Sequence, residues 1–364
     1  MIRSDISPQA ALSLLAAGAT AIDVRAPVEF ARGSLSGATN LPIMNDDERS
    51  LVGHCYKTQG ADAATELGYQ LVSRDVKSAR IDAWVDFLKK NPESLLFCAR
   101  GGQRSQIACD WISEAGSKVK RIQGGFKALR GLILPLLSPN AIDLVILGGS
   151  TGVGKTEFLK EDPASIDLEA LARHRGSAFG AHLDAQPAQI TFENGLAMAF
   201  YAANHSQRMP TLLEDEGRMI GRIHVPPSLQ SAMRAAPLVV LEADIERRVD
   251  RIFREYVLAA LESYREHKFE QPLSALGERL AGNLIAIRKR LGHERHQSLS
   301  FQLHEALSAH ALGDDQGHKI WIRELLAEYY DPMYNYQLSK KKERIVFRGD
   351  LEEVRMWRSS NVRT

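Results

Sequence analysis

The octapeptide GSTGVGKT, Gly149 to Thr156, constrains the fold of this chain more than any other stretch. It satisfies G-x-x-x-x-G-K-[ST], follows the apolar run IDLVIL and precedes KTEFLKE, a segment compatible with a helix. A glycine loop between a strand and a helix turns several backbone N–H groups onto one point, where the helix N-terminus adds partial positive charge. That geometry belongs to a parallel α/β sheet. The expected ligand is a diphosphate, cradled by Gly149, Ser150, Gly152 and Gly154 and neutralised by Lys155, with Thr156 reaching a magnesium ion (Mg2+). TLLEDEGRMIG supplies Glu214, Asp215 and Glu216 at a strand end as acidic partners for that ion. SIDLEALARHRGSAFG supplies Asp167, Glu169, His174 and Arg175; for both segments a solvated charge cluster is the alternative. No metal site made of protein ligands alone is expected.

A second glycine loop lies upstream in LLFCARGGQRS, residues 95–105. An apolar strand runs into Cys98, and Arg100, Gly101, Gly102 and Arg104 follow before the next helix. Glycines let the backbone curl, inward N–H groups and the helix start favour anions, and the arginines add full charges. Each factor favours the thiolate, so Cys98 reads as a nucleophile in an anion-binding nest, with Arg100 and Arg104 beside it. Cys109 has no such neighbours and reads as a small core residue. Cys55, in VGHCYKTQG, reads as a loop residue rather than a second active thiol. Three cysteines without CxxC spacing argue against a zinc site and a disulfide scaffold, and a reducing cytoplasm is the expected setting.

The 364 residues suffice for two domains, and 44% hydrophobic with 25% charged residues allows a sizeable core. Before residue 137, strand-like TAIDV, SLLF and VKRI alternate with helix-like SARIDAWVDFLKK and SQIACDWISEAG, and Ser7 caps a helix with Pro8 at its first position. A break is expected around Ser138 to Asn140. Strands follow at IDLVIL, TLLED and PLVVLEA, and from about Ile245 the pattern is helical. Leu276, Leu280, Leu284, Ile287 and Leu291 mark one helical face; Trp321, Leu325 and Tyr329 mark another. The expected domains are 1–137, 138–245 and a helical extension, 246–364, packed with the second. No apolar run reaches membrane-spanning length.

The first domain resembles the rhodaneses. The resemblance rests on AIDVRAPVEFARGSLSGATNLPI, on the Cys98 loop and on QGGF, and covers about residues 10–131. It implies a mostly parallel sheet and a Cys98 that carries sulfur or selenium as a persulfide-like or selenide-like adduct. The Cys-x5-Arg loop is also similar to phosphotyrosine phosphatases and arsenate reductases, but Phe97 stands where tyrosine phosphatases have histidine.

A rhodanese joined to a P-loop NTPase-like α/β domain with a helical C-terminal region resembles the tRNA 2-selenouridine synthase family. The match runs from about residue 10 to 340 through VGHCYKTQGADAATELG, FCARGGQRS, GGSTGVGKT, DLEALARHRGSAFG, QPAQITFENGLA and LLEDEGRMIGRIHVP. The resemblance implies a transferase with two co-substrates, geranyl diphosphate and selenophosphate. Wobble 2-thiouridine in tRNA is S-geranylated, and selenium then replaces the S-geranyl group. It implies that the P-loop grips geranyl diphosphate rather than hydrolysing a nucleotide, and that Cys98 accepts selenium while Arg100 and Arg104 hold the phosphate.

Net charge is +1, from 46 Lys plus Arg against 45 Asp plus Glu, so any surface for tRNA must be a local patch. Arg247, Arg248, Arg251 and Arg254 in RRVDRIFREY are candidates, with a solvated face equally compatible; RKR at 288–290 and KKKER from Lys340 are others. An enzyme that makes selenophosphate is a further expected partner; a membrane is not. Two rivals remain: a thiosulfate sulfurtransferase with a regulatory nucleotide-binding domain, and a P-loop kinase or GTP-binding module with an inactive rhodanese part. No N-K-x-D motif for guanine is present.

Overall fold

The computed structural model of the chain describes residues 5–137, 143–205 and 209–361. The chain forms two compact units: Met1–Ala141 with Pro187–His205, and Ile142–Gln186 with Ser206–Thr364. The expected break at Ser138 to Asn140 lies outside the described residues.

The first unit is built on a five-stranded parallel sheet in the spatial order Asp5–Ile6, Lys120–Ile122, Leu95–Phe97, Ala21–Asp23, Ala38–Asn40. Parallel strands need crossovers, which here cover the sheet with helices, so the central strands are buried throughout. The IDVR stretch has a structural role: Asp23 is fully buried and accepts from Arg25 Nε at 2.9 Å and Ser34 Oγ at 2.7 Å. Arg25 also donates to Gly33 O and stacks over the Phe126 ring, so the buried charges are paired and hydrogen-bonded.

One segment departs from the expected boundaries. Helix Gln189–His205 follows the P-loop in sequence but packs in the first unit. Phe192, Leu196 and Phe200 form a fully buried face at i, i+4, i+8, and the helices Pro8–Ala16 and Gly125–Ile133 cover it. Polar contacts fix its register: Arg130 pairs with Glu193 at 2.6 Å, and Asn194 donates to Ser34 O at 2.8 Å. Apolar spacing along the chain does not say which surface receives such a face.

The second unit holds a five-stranded parallel sheet in the order Ile345–Gly349, Leu238–Leu241, Leu144–Gly149, Thr211–Glu214, Ser165–Ile166. The 246–364 region is therefore not purely helical. Ile345–Gly349 pairs beside Leu238–Leu241, and helix Leu351–Ser360, capped by Asp350, closes the chain. Its Arg358 is buried against Asp162 at 2.6 Å.

Helix Pro272–Leu291 buries all five residues of its expected face. The second face is displaced: Trp321 and Leu325 are buried, but Tyr330 replaces Tyr329. A π-helical turn at Leu326–Tyr330 inserts one residue into the helical repeat and rotates the buried stripe.

Candidate active sites

Strand Leu95–Phe97 ends at Cys98, and helix Gln103–Glu114 starts after Gly102. The QGGF stretch braces this loop: Phe126 N donates to Cys98 O at 2.9 Å and Lys127 N to Ala99 O at 3.0 Å. A Cβ on Gly125 would lie 2.3 Å from Cys98 O and 2.5 Å from Gly101 N, and its φ is +58°. We expect Gly125→Ala to destabilise the first unit by about 1–3 kcal/mol and to slow alkylation of Cys98 by iodoacetamide, read by urea unfolding and by mass.

Cys98 lies at the floor of the loop, 3% exposed, while Arg100 and Gly102 at its rim are exposed. The thiol donates to Ser105 Oγ at 3.2 Å, and that hydroxyl donates to Gly102 O at 2.9 Å. The two arginines differ. Arg104 is held by Glu29 at 2.5 and 3.2 Å, and Arg49 shares that carboxylate at 3.0 Å. Burial opposes the Arg104 charge, but Glu29, aided by Cys98 and Asp23, overrides it and raises its pKa. Arg104 is thus partnered, and Arg100 is the exposed cation of the pair. Glu29 was not expected at the site, although it is the acidic residue of PVEF. Cys109 is half-buried, and burial pushes its thiol up to about 12, in keeping with a core role. Cys55 lies in helix Asp46–Gln59 rather than in a loop, and is buried.

In the second unit, Gly149 ends the strand and Lys155 opens helix Lys155–Glu161, with Lys155 Nζ on Gly149 O at 3.1 Å. Helix Ile245–Phe253 clamps the loop from outside. A Cβ on Gly152 would meet Ile252 Cγ1 at 2.8 Å and Arg248 O at 3.0 Å. Two of the arginines expected to face tRNA belong to this clamp. Arg248 is buried, donates to Thr151 O at 2.9 Å and pairs with Asp331 at 2.5 Å. Arg251 donates to Gly152 O at 2.7 Å and pairs with Glu157 at 2.8 Å. Helical periodicity sends these side chains toward the loop, whose carbonyls need donors; Arg247 and Arg254 remain exposed. KKKER is also absorbed in part, since Lys341 grips Asp215 at 2.6 and 2.7 Å and Arg344 donates to Met233 and Ala236 carbonyls.

The loop opens into a cavity of about 420 Å³. Lys155, Thr156, Arg175 and Arg290 line one part. The apolar part comes from the helical region: Ile252, Tyr256, Ile287, Tyr329, Tyr330 and Met333. Tyr256 and Tyr330 sit in the two π-helical turns, Arg254–Leu258 and Leu326–Tyr330. Burial pushes the Tyr256 phenol up to about 12 against the pull of its Ser177 hydrogen bond and of Arg175, with a smaller push from Glu169 and Glu255. Periodicity picked out Ile287 and Tyr329 as face residues but missed Tyr256 and Tyr330, which lie in π turns that break the 3.6-residue repeat.

The acidic residues are rearranged from expectation. Asp215 faces the cavity but is paired with Lys341, and Glu214 is fully buried behind it. Glu214 Oε2 accepts from Glu169 N at 3.1 Å, while its Oε1 has no partner. Glu169 and Glu216 take the cavity wall. Burial, then repulsion from Glu216, raises Glu169 to about 8 against the pull of Lys155; burial and Glu169 push Glu214 well above the ordinary carboxylate range. Among the described residues no group of three or more His, Cys, Asp or Glu is arranged to hold a metal ion. The donors lining the cavity still fit magnesium: the Thr156 hydroxyl and the Glu169 and Glu216 carboxylates suit a cation that keeps waters and shares substrate phosphates.

A raised folded-state pKa means the folded chain holds a proton that the unfolded chain has lost. The stabilisation is complete below about 4.5 and is lost as pH rises through about 8. We expect the ligand-free thermal midpoint to fall as pH rises from about 4.5 to about 8, and to fall less in Glu169→Gln, measured by scanning fluorimetry.

Taken together, a cysteine loop at the end of a parallel-sheet strand and a glycine loop of P-loop form that opens into a cavity define a rhodanese-like unit joined to a P-loop-like unit. A family profile for the rhodanese-like domain matches residues 7–131, and one for the tRNA 2-selenouridine synthase AAA domain matches residues 142–364. The chain is 47% identical to the tRNA 2-selenouridine synthase of Hahella chejuensis, covering 94% of this chain and 92% of that one. It is 44% identical to that of Shewanella loihica (94% and 94%) and 45% identical to that of Cupriavidus pinatubonensis (94% and 95%). The chain belongs to the tRNA 2-selenouridine synthase family. Among the described residues no helix is long and apolar enough to cross a membrane.

Proposed function

We propose that the protein is a tRNA-modifying transferase that S-geranylates wobble 2-thiouridine in the P-loop unit and exchanges the S-geranyl group for selenium at Cys98. The observation that carries this reading is the composition of the second-unit cavity. A diphosphate grip, Lys155 with the loop N–H groups, adjoins a wall of Ile252, Tyr256, Ile287, Tyr329, Tyr330 and Met333. That pairing suits a short prenyl diphosphate: an anionic head and an apolar tail of matching extent.

In the first reaction the thiouridine sulfur bonds to C1 of geranyl diphosphate, the C1–O bond breaks and the uridine N3 proton is released. Lys155, Arg175 and Arg290 stabilise the departing pyrophosphate, and the apolar wall excludes water from C1. A magnesium ion bound here would be held by Thr156 and by Glu169 or Glu216, and would supply further charge neutralisation.

In the second reaction Cys98 carries selenium. Loading consumes the thiol, selenophosphate, water and a low-molecular-weight disulfide, and yields Cys98–S–SeH, phosphate and two thiols. In this reading Arg100, which is exposed, holds the phosphate, while Arg104 stays paired with Glu29. The selenium then attacks C2 of the base, the C2–S bond breaks and geranylthiolate leaves. Two thiols free the selenouridine, regenerate Cys98 and restore the disulfide, so the cycle is redox-neutral.

Purified protein incubated with 2-thiouridine tRNA and geranyl diphosphate is expected to yield the S-geranyl nucleoside in tRNA digests, and added selenophosphate, with a low-molecular-weight thiol and its disulfide, to convert it to 2-selenouridine. Sulfur transfer from thiosulfate to cyanide, with no change in tRNA, would instead identify the sulfurtransferase rival.

A further inference from the structure

The first unit contains a second apolar cavity, of about 140 Å³, between helices Asp46–Gln59, Ala61–Leu71 and Gln103–Glu114. Ile43, Met44, Val52, Tyr69, Ile107 and Trp111 form its walls. Gln103 and Arg104 also border it, and these begin the helix that follows the Cys98 loop. Gln103 is tied across to Thr65 at 3.1 Å, and the next residue after Arg104, Ser105, touches the Cys98 thiol. Tyr56 and Tyr69 line the same cavity yet are 62% and 48% exposed. A rhodanese reaction on small anions makes no use of such a surface.

We propose that this cavity binds the geranyl chain of the S-geranyl-2-thiouridine intermediate while its C2 is presented to Cys98. The inference rests on the function proposed above. The carbon that receives selenium is the carbon that bears the S-geranyl group, so the first methylene of the chain lies two bonds from the reacting atom. Wherever C2 meets the cysteine loop, ten carbons must be lodged close by. The loop itself offers backbone N–H groups and arginines, which do not accept an alkyl chain. The apolar cavity shares a helix start with that loop. An apolar cavity of about 150 Å³ takes up benzene, so this one accepts an isoprene unit while the sulfur-proximal unit lies in its open mouth. The chain then serves as an anchor that directs the base to Cys98, and the departing geranylthiol leaves through the same apolar mouth.

The test supplies the full-length protein with preformed substrates, anticodon stem-loops carrying S-geranyl- or S-methyl-2-thiouridine, plus selenophosphate, a low-molecular-weight thiol and its disulfide. The geranylation step is thereby bypassed. The wild-type protein is expected to favour the geranyl substrate by about tenfold or more in kcat/KM, the selectivity of an apolar pocket for added carbons. Val52→Phe and Ile107→Phe, which fill the cavity, are expected to raise KM for the geranyl substrate and leave S-methyl turnover unchanged, removing the preference. Equal turnover of the two substrates by the wild type, or an unaltered preference in both variants at unaltered thermal midpoints, overturns the cavity assignment alone. Failure of the wild type to convert the S-geranyl substrate at all overturns the geranyl intermediate and the cavity assignment together. The comparison of chain lengths on the wild type needs no variant and holds even where a substitution prevents folding.

Discussion

Cys98→Ala is expected to stop the reaction at S-geranyl-2-thiouridine: 2-selenouridine falls by about a thousandfold or more, and the geranylated nucleoside accumulates in its place. The expectation follows from the division between units. Cys98 sits at the end of Leu95–Phe97, in the first unit, and the P-loop is in the second. Removing one sulfur atom at a buried position leaves the loop's backbone contacts, Phe126 N to Cys98 O and Lys127 N to Ala99 O, intact. The variant should therefore fold as the wild type does. Mass spectrometry of digested tRNA reads both nucleosides in one sample. Selenation at the wild-type rate would mean that selenophosphate attacks C2 directly and that Cys98 carries nothing.

Lys155→Ala is expected to lower geranylation by about a hundredfold to a thousandfold, the effect of removing a charge that stabilises a leaving group in a water-poor site. The same variant should still selenate an S-geranyl stem-loop supplied ready-made. Two opposed outcomes in one protein separate this result from general damage. Glu169 adds a second reading: Lys155 opposes its raised pKa, so losing the lysine should move the pH-dependent stability loss to higher pH. Full geranylation by Lys155→Ala would remove the P-loop from the reaction.

Much of the molecule is legible before any coordinates. Both glycine loops fall where strand, loop and helix are expected, and the sheets that carry them are parallel. Local rules suffice there, because a glycine loop, its preceding apolar strand and its following helix are contiguous. The candidate sites were less legible. Arg248 and Arg251 looked like a surface for RNA and instead hold P-loop carbonyls, because spacing reports which face a residue shares and not what that face meets. Asp215 looked like a magnesium ligand and is paired with Lys341, a residue 126 positions away.

The chain's own order of residues settles the chemistry available: a cysteine and a lysine, each set in glycine-rich backbone that concentrates N–H groups. Those properties are local and survive any packing that keeps strand before loop and loop before helix. Which groups stay charged and free was decided by long-range contacts. Glu29 occupies Arg104, Lys341 occupies Asp215, and burial raises Glu169 and Glu214. The apolar wall of the second-unit cavity comes from helices distant in sequence from its glycine loop, and helices Asp46–Gln59 and Ala61–Leu71 complete the first-unit cavity beside the helix that follows Cys98. Desolvation and pairing depend on three-dimensional neighbours, so no pattern along the chain could have specified them.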